Sequence, residues 1–202
     1  MFNFSNNNGQ GLLEAIIGIS IITIGLGGAL SLAHSSISSH YEAETRVVAA
    51  NLAREAVEVA HNIRDSNWLA GNKWDNGLYS GVDYTGAPVL DYISGNWQID
   101  YSPGSFSDDM CKVYQFTSGA YTNLFVQDFP QPKPTDTQET LYKRFLILKA
   151  ICYDGDSESV YNSASCPSGS DKIGIRIIAE VRWTEHGRAH SLIVEDSVYN
   201  WR

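Results

Sequence analysis

The hydrophobic and polar positions divide the chain into an apolar N-terminal run and a longer, patterned remainder. Residues 12–32 read LLEAIIGISIITIGLGGALSL and contain one ionisable side chain, Glu14. At about 1.5 Å of rise per residue, a helix of this run spans roughly 30 Å, the thickness of the hydrocarbon core of a bilayer. The run therefore predicts a membrane-spanning helix.

A second helical pattern follows directly. Residues 41–62 contain neither Gly nor Pro, and apolar residues recur on one helical face at Val48, Leu52, Val59 and Ile63. This pattern predicts that the helix continues to about residues 64–68. Its first half would be apolar all round, and its second half would be apolar on one side only.

Strand patterns replace helical ones in the last two thirds of the chain. The segments with alternating or strongly apolar character are 97–101, 113–116, 145–153, 173–184 and 189–199. Three prolines within 128–137 predict a loop, and Gly187 suits a hairpin turn that needs a positive φ. An antiparallel sheet must bury one apolar face, and the stripe of residues 41–63 can cover it. We therefore expect an α+β fold with one long N-terminal helix packed on an antiparallel sheet.

The charge distribution also separates the apolar N-terminal run from the rest of the chain. The chain has 202 residues, with 14 basic and 23 acidic side chains, and only Glu14 among the charged residues lies within residues 1–40. The net charge of −9 argues against nucleic acid as the main partner, because phosphate binding needs clustered Lys and Arg. A membrane or assembly segment over residues 10–40 and a globular domain over residues 41–202 are expected.

Glu14 and the glycines of the apolar run require explanations of their own. A carboxylate within hydrocarbon costs about 2.5–3.5 kcal/mol on insertion scales, so Glu14 either has a partner or reaches the headgroup region. Gly11, Gly18 and Gly25 are seven residues apart. Small residues on one face allow helix backbones to approach closely in lipid, so this spacing favours a packing face.

The N-terminal motif resembles a known processing signal. The segment from Gly9 to Glu14, GQGLLE, followed by an apolar helix, is similar to the class III signal sequences of type IV pilins and type II secretion pseudopilins. The resemblance implies residues 1–9 as leader peptide, Gly9 as its last residue and Gln10 as the new N-terminus, cut and methylated by a prepilin peptidase. The family usually has Phe at that first position and basic residues in the leader, whereas this leader has none.

The resemblance also implies a function. It makes Glu14 the assembly glutamate, which pairs with the amino terminus of a neighbouring subunit, and it places Gly18 and Gly25 on a close-packing face. The segments 64–68 and 181–201 resemble minor pilin-like subunits more loosely. The implied protein is a minor pilin or pseudopilin of a type IV pilus or type II secretion-like filament, built from homologous subunits. It would be held in the cytoplasmic membrane by residues 12–32, with its domain outside the cytoplasm, and would reach the cell surface in the filament.

A different cut gives the alternative interpretation. Ser31-Leu32-Ala33 has the small-x-small form of an ordinary signal-peptidase site, after which the mature chain would begin at His34. The product would be a secreted binding or adhesin-like module. A membrane-anchored module that forms no filament belongs to the same alternative class.

Three cysteines fit export to an oxidising compartment. Cys152 and Cys166 enclose a polar, turn-rich segment, and a disulfide between them would clamp a surface loop onto the sheet. Cys111 would then be free, although it could instead pair with one of the other two, because spacing alone does not fix connectivity.

The remaining chemistry is sparse. Asp154, Asp156 and Glu158 alternate as calcium ligands can, but the later residues of a calcium loop are missing, so a solvated acidic loop is favoured. His186 and His190 flank the hairpin turn, where a solvated turn is the better interpretation. With no nucleophile elbow and no phosphate-binding glycine loop in the sequence, we expect no catalytic site, metal or cofactor.

Overall fold

The computed structural model describes residues 8–80, 84–91, 95–127 and 135–200, with side chains described from Gly11 onward. Contacts divide the chain into two compact units, Met1–Arg46 and Val47–Arg202. The division falls a few residues after the boundary at residue 41 that the charge pattern suggests. A single helix, α1, covers Asn8–Ala70 and contributes to both units.

The end of α1 is defined by its backbone. The helix continues slightly beyond the end expected at residues 64–68 and stops at Ala70, where Gly71 takes φ 72°. The Gly71 N–H donates to the Trp68 carbonyl (3.2 Å), and the Asn72 N–H donates to the Asn67 carbonyl (2.8 Å). This pair of bonds is the Schellman arrangement, in which a left-handed glycine satisfies carbonyls that the helix leaves free.

In the second unit, the described residues form one sheet of eight strands, and all of its pairings are antiparallel. The strands are β1 (Thr85–Asp91), β2 (Asn96–Asp100), β3 (Lys112–Phe116), β4 (Phe125–Gln127), β5 (Thr137–Tyr153), β6 (Glu158–Tyr161), β7 (Asp171–Glu185) and β8 (Arg188–Tyr199). A short 3₁₀ turn covers Asp109–Cys111.

Strand β5 is the centre of this sheet. Along one edge it pairs with β7 from Tyr142 to Tyr153, and β7 pairs in turn with β8. Its other partners follow one another along the strand: β3 pairs with 137–143, β1 with 146–147 and β6 with 150–153. Strand β5 therefore has three short neighbours, β3, β1 and β6, along one edge, and on its other edge it forms a three-stranded antiparallel core with β7 and β8.

The sequence predicted β2, β3, β7 and β8 closely, but it missed three strands. β1 and β4 were not expected, and β6 lies within the segment that was interpreted as a turn-rich loop. Strand β5 begins at Thr137, earlier than expected, and most of the proline-rich segment before it lies outside the described residues. The hairpin between β7 and β8 has Gly187 at φ 75°, as its sequence predicts.

The predicted helix stripe covers one face of the sheet. Leu52 and Val59 are buried, while Val48 and Ile63 pack against the same core from its margin. Tyr41 is 56% exposed, so the cover begins later than the expected 41–63. The core-facing strand residues include Leu146, Leu148, Ile175, Ile177, Ala179, Val181 and Val198.

Candidate functional site: the apolar segment of α1

The first unit exposes large aliphatic side chains along α1. The exposed fractions run from 51% at Ile17 to 77% at Ile24, and the apolar stretch continues to Ile37. Its most apolar 18-residue window has a mean hydropathy of 2.1, and none of that window is buried. Aliphatic surface on this scale is unfavourable in water, so lipid or other protein must cover it. The helix is long and apolar enough to cross a membrane.

Two hydroxyl groups in this segment have intrahelical partners. Ser20 Oγ donates to the Ile16 carbonyl (2.7 Å), and Thr23 Oγ1 donates to the Ile19 carbonyl (2.6 Å). Polar groups in hydrocarbon must be satisfied by the protein itself, and a bond to the carbonyl four residues back does this. The segment can therefore carry these hydroxyls in a dry environment.

Glu14 differs from its surroundings. Glu14 is exposed, and its neighbours along the helix, including Leu13 and Ile17, are exposed aliphatic residues. Among the side chains that the structure describes, none pairs with it. A carboxylate placed in this way needs a partner from outside the described chain when water is removed.

The predicted small-residue face also includes Glu14. At about 100° per residue, Gly11, Gly18 and Gly25 lie within roughly 40° of one another around the helix axis, and Glu14 lies within about 60° of Gly11. A Cβ placed at Gly11, Gly18 or Gly25 would meet no atom within 4 Å. The described packing of the chain therefore does not require glycine there, although glycine weakens a helix by about 1 kcal/mol relative to alanine. A close neighbour from another molecule would give these glycines a role.

The proposed processing residues are placed only in part. Gly9 and Gln10 lie within α1, but the surroundings of Gly9 and the side chain of Gln10 are outside the description, as are residues 1–7. The cut between Gly9 and Gln10 and the leader peptide of residues 1–9 stay predictions.

The structure joins Cys152 and Cys166 in a disulfide, and Cys111 is free and buried. The bond ties the end of β5 to the segment that precedes β7. Burial raises the pKa of the Cys111 thiol to about 11, and the thiol donates to the Ser105 carbonyl at 3.2 Å. Cys111 is therefore a protonated, packed side chain.

The acidic residues after Cys152 form a turn. Asp154 Oδ1 accepts hydrogen bonds from the N–H groups of Asp156 (3.0 Å) and Ser157 (2.9 Å). These backbone bonds, that of Ser157 first, lower the pKa of Asp154. Among the described residues, no group of three or more His, Cys, Asp or Glu side chains could hold a metal ion. The Asp154 carboxylate thus has a local structural role in the turn.

The two histidines of the hairpin have different environments. The ring of His190 stacks on Trp183, with centroids 5.3 Å apart and planes 14° apart. His186 lies in the turn itself with φ 49°. The stacking gives His190 a packing role beside the sheet core.

Sequence reasoning missed a buried polar cluster around Arg144. This side chain is fully buried, with Nη1 at 3.0 Å from Glu55 Oε2 and 3.2 Å from the Leu52 carbonyl, and Nε at 2.8 Å from Gln127 Oε1. It links α1, β4 and β5. Strand alternation could have revealed it, because Arg144 is in phase with the core residues Leu146 and Leu148.

Comparisons with known protein families, curated proteins and solved structures gave no match to this chain. The feature with the clearest chemical requirement is the exposed apolar segment of α1 with its carboxylate.

Proposed function

We propose that this protein is a structural subunit of the pilin-like class, a minor pilin or pseudopilin that assembles through α1 into a type IV pilus or type II secretion-like filament. The observation that carries the proposal is the unburied apolar segment, of membrane-spanning length, with Glu14 and the glycines on one face. The helix-on-sheet architecture of the second unit agrees with this class. The protein acts by assembly, and we assign it no catalytic site or cofactor.

The proposed route begins in the membrane. Residues 12–32 hold the precursor in the bilayer with the second unit on the extracytoplasmic side. A prepilin peptidase then cuts after Gly9 and leaves Gln10 as the N-terminus. In the filament, apolar segments of homologous subunits replace lipid around one another, so the aliphatic surface stays covered throughout.

Glu14 has a specific role in this route. In the dry centre of a helix bundle, an unpaired carboxylate and an unpaired amino terminus are each unfavourable, and their pairing offsets much of that cost. Glu14 of one subunit therefore meets the amino terminus of its neighbour. The pairing also fixes the axial offset between the two helices.

Glu14→Gln tests the pairing because it keeps the size of the side chain and removes its charge. We expect normal membrane insertion but a recovery in sheared filaments that falls at least about tenfold, because breaking a buried pair costs roughly 3–5 kcal/mol. Glu44→Gln, which changes an exposed carboxylate of the same helix, is the matched control and should assemble normally. Wild-type recovery of Glu14→Gln would show that the pairing is wrong.

Two glycine substitutions test the packing face. Gly18 lies on that face, whereas Gly27 lies about 160° from Gly11 around the helix. Both positions have open space in the described chain. We expect Gly18→Leu to reduce filament recovery and Gly27→Leu to leave it unchanged. Equal effects of the two substitutions would remove the argument for a specific face.

An intact mass of the mature protein distinguishes the proposal from its alternative. A chain that begins at Gln10 supports the filament subunit. A chain that begins at His34 favours a secreted binding module, and a chain that retains Met1 favours an anchored module without assembly.

A further inference from the structure

The segment that follows α1 carries a buried carboxylate, Asp75, which lies between two lysines. Asp75 is 1% exposed, with Oδ2 at 2.9 Å from Lys172 Nζ and Oδ1 at 3.3 Å from Lys73 Nζ. Neither oxygen has a well-aligned hydrogen bond among the described residues. The carboxylate is therefore held by charge in a site that excludes water, and such an ion pair is costly to maintain.

The segment that carries Asp75 is firmly held. The Asn67 amide donates to the carbonyls of Trp74 (3.2 Å) and Asn76 (2.7 Å), and the Tyr101 hydroxyl donates to the Gly77 carbonyl (3.0 Å). The Leu78 N–H closes a turn onto the Asp75 carbonyl (3.0 Å). Asp75 is thus presented to Lys172 in a fixed position.

The Lys172 amine is equally constrained. Its side chain is 15% exposed, and Nζ lies 4.1 Å from the ring centroid of Tyr79 and 5.9 Å from that of Trp74. Lys172 is the second residue of β7 and pairs with Cys152, one half of the disulfide. Burial lowers the pKa of the Lys172 ammonium, with the Asp75 carboxylate opposing that change. Loss of a proton by this amine is favoured relative to a lysine in water.

We propose that Lys172 and Asp75 form an intramolecular isopeptide bond. Proximity in a fixed geometry replaces an encounter in solution and so lowers the barrier to a condensation between the two groups. Lys73, whose side chain is 67% exposed, stays charged at the solvent side and stabilises the oxygen that becomes negative during attack. The product replaces a buried ion pair with a neutral amide.

The atoms balance without an external reagent. A proton passes from the Lys172 ammonium to the Asp75 carboxylate, giving an amine and a carboxylic acid. The Lys172 nitrogen then attacks Cγ of Asp75 and forms the C–N bond. The C–O bond to the hydroxyl breaks, a second proton moves from nitrogen to the leaving oxygen, and one water is released.

Peptide mapping of the purified full chain tests the bond. After reduction and proteolysis, we expect a branched peptide that joins the Asp75 and Lys172 segments, lighter than their sum by one water molecule. In the intact protein, Lys172→Arg should remove this loss of mass. Lys149→Arg, on the opposite face of the sheet, should retain it.

Separate linear peptides from the wild-type chain would overturn the proposal and show an ordinary ion pair. A loss of water that persists in Lys172→Arg would also overturn it, because the bond would then lie elsewhere. The wild-type peptide map decides the question even if Lys172→Arg fails to fold.

Discussion

The Glu55–Arg144 pair allows a quantitative test of how α1 is attached to the sheet. The Arg144 guanidinium is fully buried, and burial lowers its pKa, while Glu55 supplies the charged partner at 3.0 Å. The other acceptors that Arg144 contacts, the Leu52 carbonyl and the Gln127 amide oxygen, are neutral. Glu55→Gln therefore leaves a buried cation supported only by dipoles.

The expected cost follows from burial. Removing one partner of a buried pair costs roughly 3–5 kcal/mol. The Glu55 side chain is 32% exposed, so water screens part of the interaction and we expect about 2–3 kcal/mol. Arg144→Met removes the charge while keeping an extended apolar side chain, and it should cost about 1–3 kcal/mol because the buried Gln127 amide oxygen and Leu52 carbonyl lose their donor. In the Met background, Glu55→Gln should cost little more.

Urea unfolding of the four chains in detergent measures these free energies, and tryptophan fluorescence reports on the second unit because all five tryptophans lie at position 68 or later. With a slope of about 1–3 kcal/mol per molar urea, the expected loss in Glu55→Gln moves the midpoint by at least several tenths molar. An equal cost of Glu55→Gln in both backgrounds would refute the assigned coupling.

Three further outcomes are expected. The pKa of Asp196 is lowered first by the N–H of the residue that follows it and then by His61. The stability that Asp196 contributes is therefore present above about pH 4 and is lost as the pH falls through its lower folded-state pKa. Asp196→Asn should make the stability of the chain less dependent on pH in the acidic range. Cys111 should resist alkylation at pH 8 in the native chain and react fully in urea, as peptide masses will show. Gly86→Ala should cost about 1–3 kcal/mol in urea unfolding, because its Cβ would lie 2.7 Å from a backbone oxygen of β2, whereas Gly104→Ala, with open space, should cost little.

The periodic segments could be predicted from the sequence because their own hydrophobic pattern indicates the element and its buried face. The stripe through Leu52 and Val59 faces the sheet, and β7 and β8 alternate over many residues. Strand β1 has no comparable signal: it contains Gly86 and Pro88, and it becomes a strand because β2 and β5 pair with it. A short strand of this kind depends on its pairing partners, here the neighbouring β2 and the distant β5, more than on its own composition.

The functional residues also differ in how far they could be predicted from the sequence. The exposure of the apolar run and the place of Glu14 within it follow from hydropathy alone. The meeting of Asp75 with Lys172 has no local signal, because 97 positions separate them and only the folded sheet brings them together. Arg144 could be predicted in part, since the alternation along the strand places its side chain on the core face but does not identify Glu55 as its partner.

The divided edge of β5 has a consequence for where the chain can tolerate change. Because β3, β1 and β6 each occupy a separate stretch of that strand, an insertion or a change of shape in one group leaves the pairing of the others in register. Among the described residues, β7 and β8 on the opposite edge have no backbone pairing with these groups. A change confined to one of these groups should therefore leave the pairing of β5 with β7 and β8 intact.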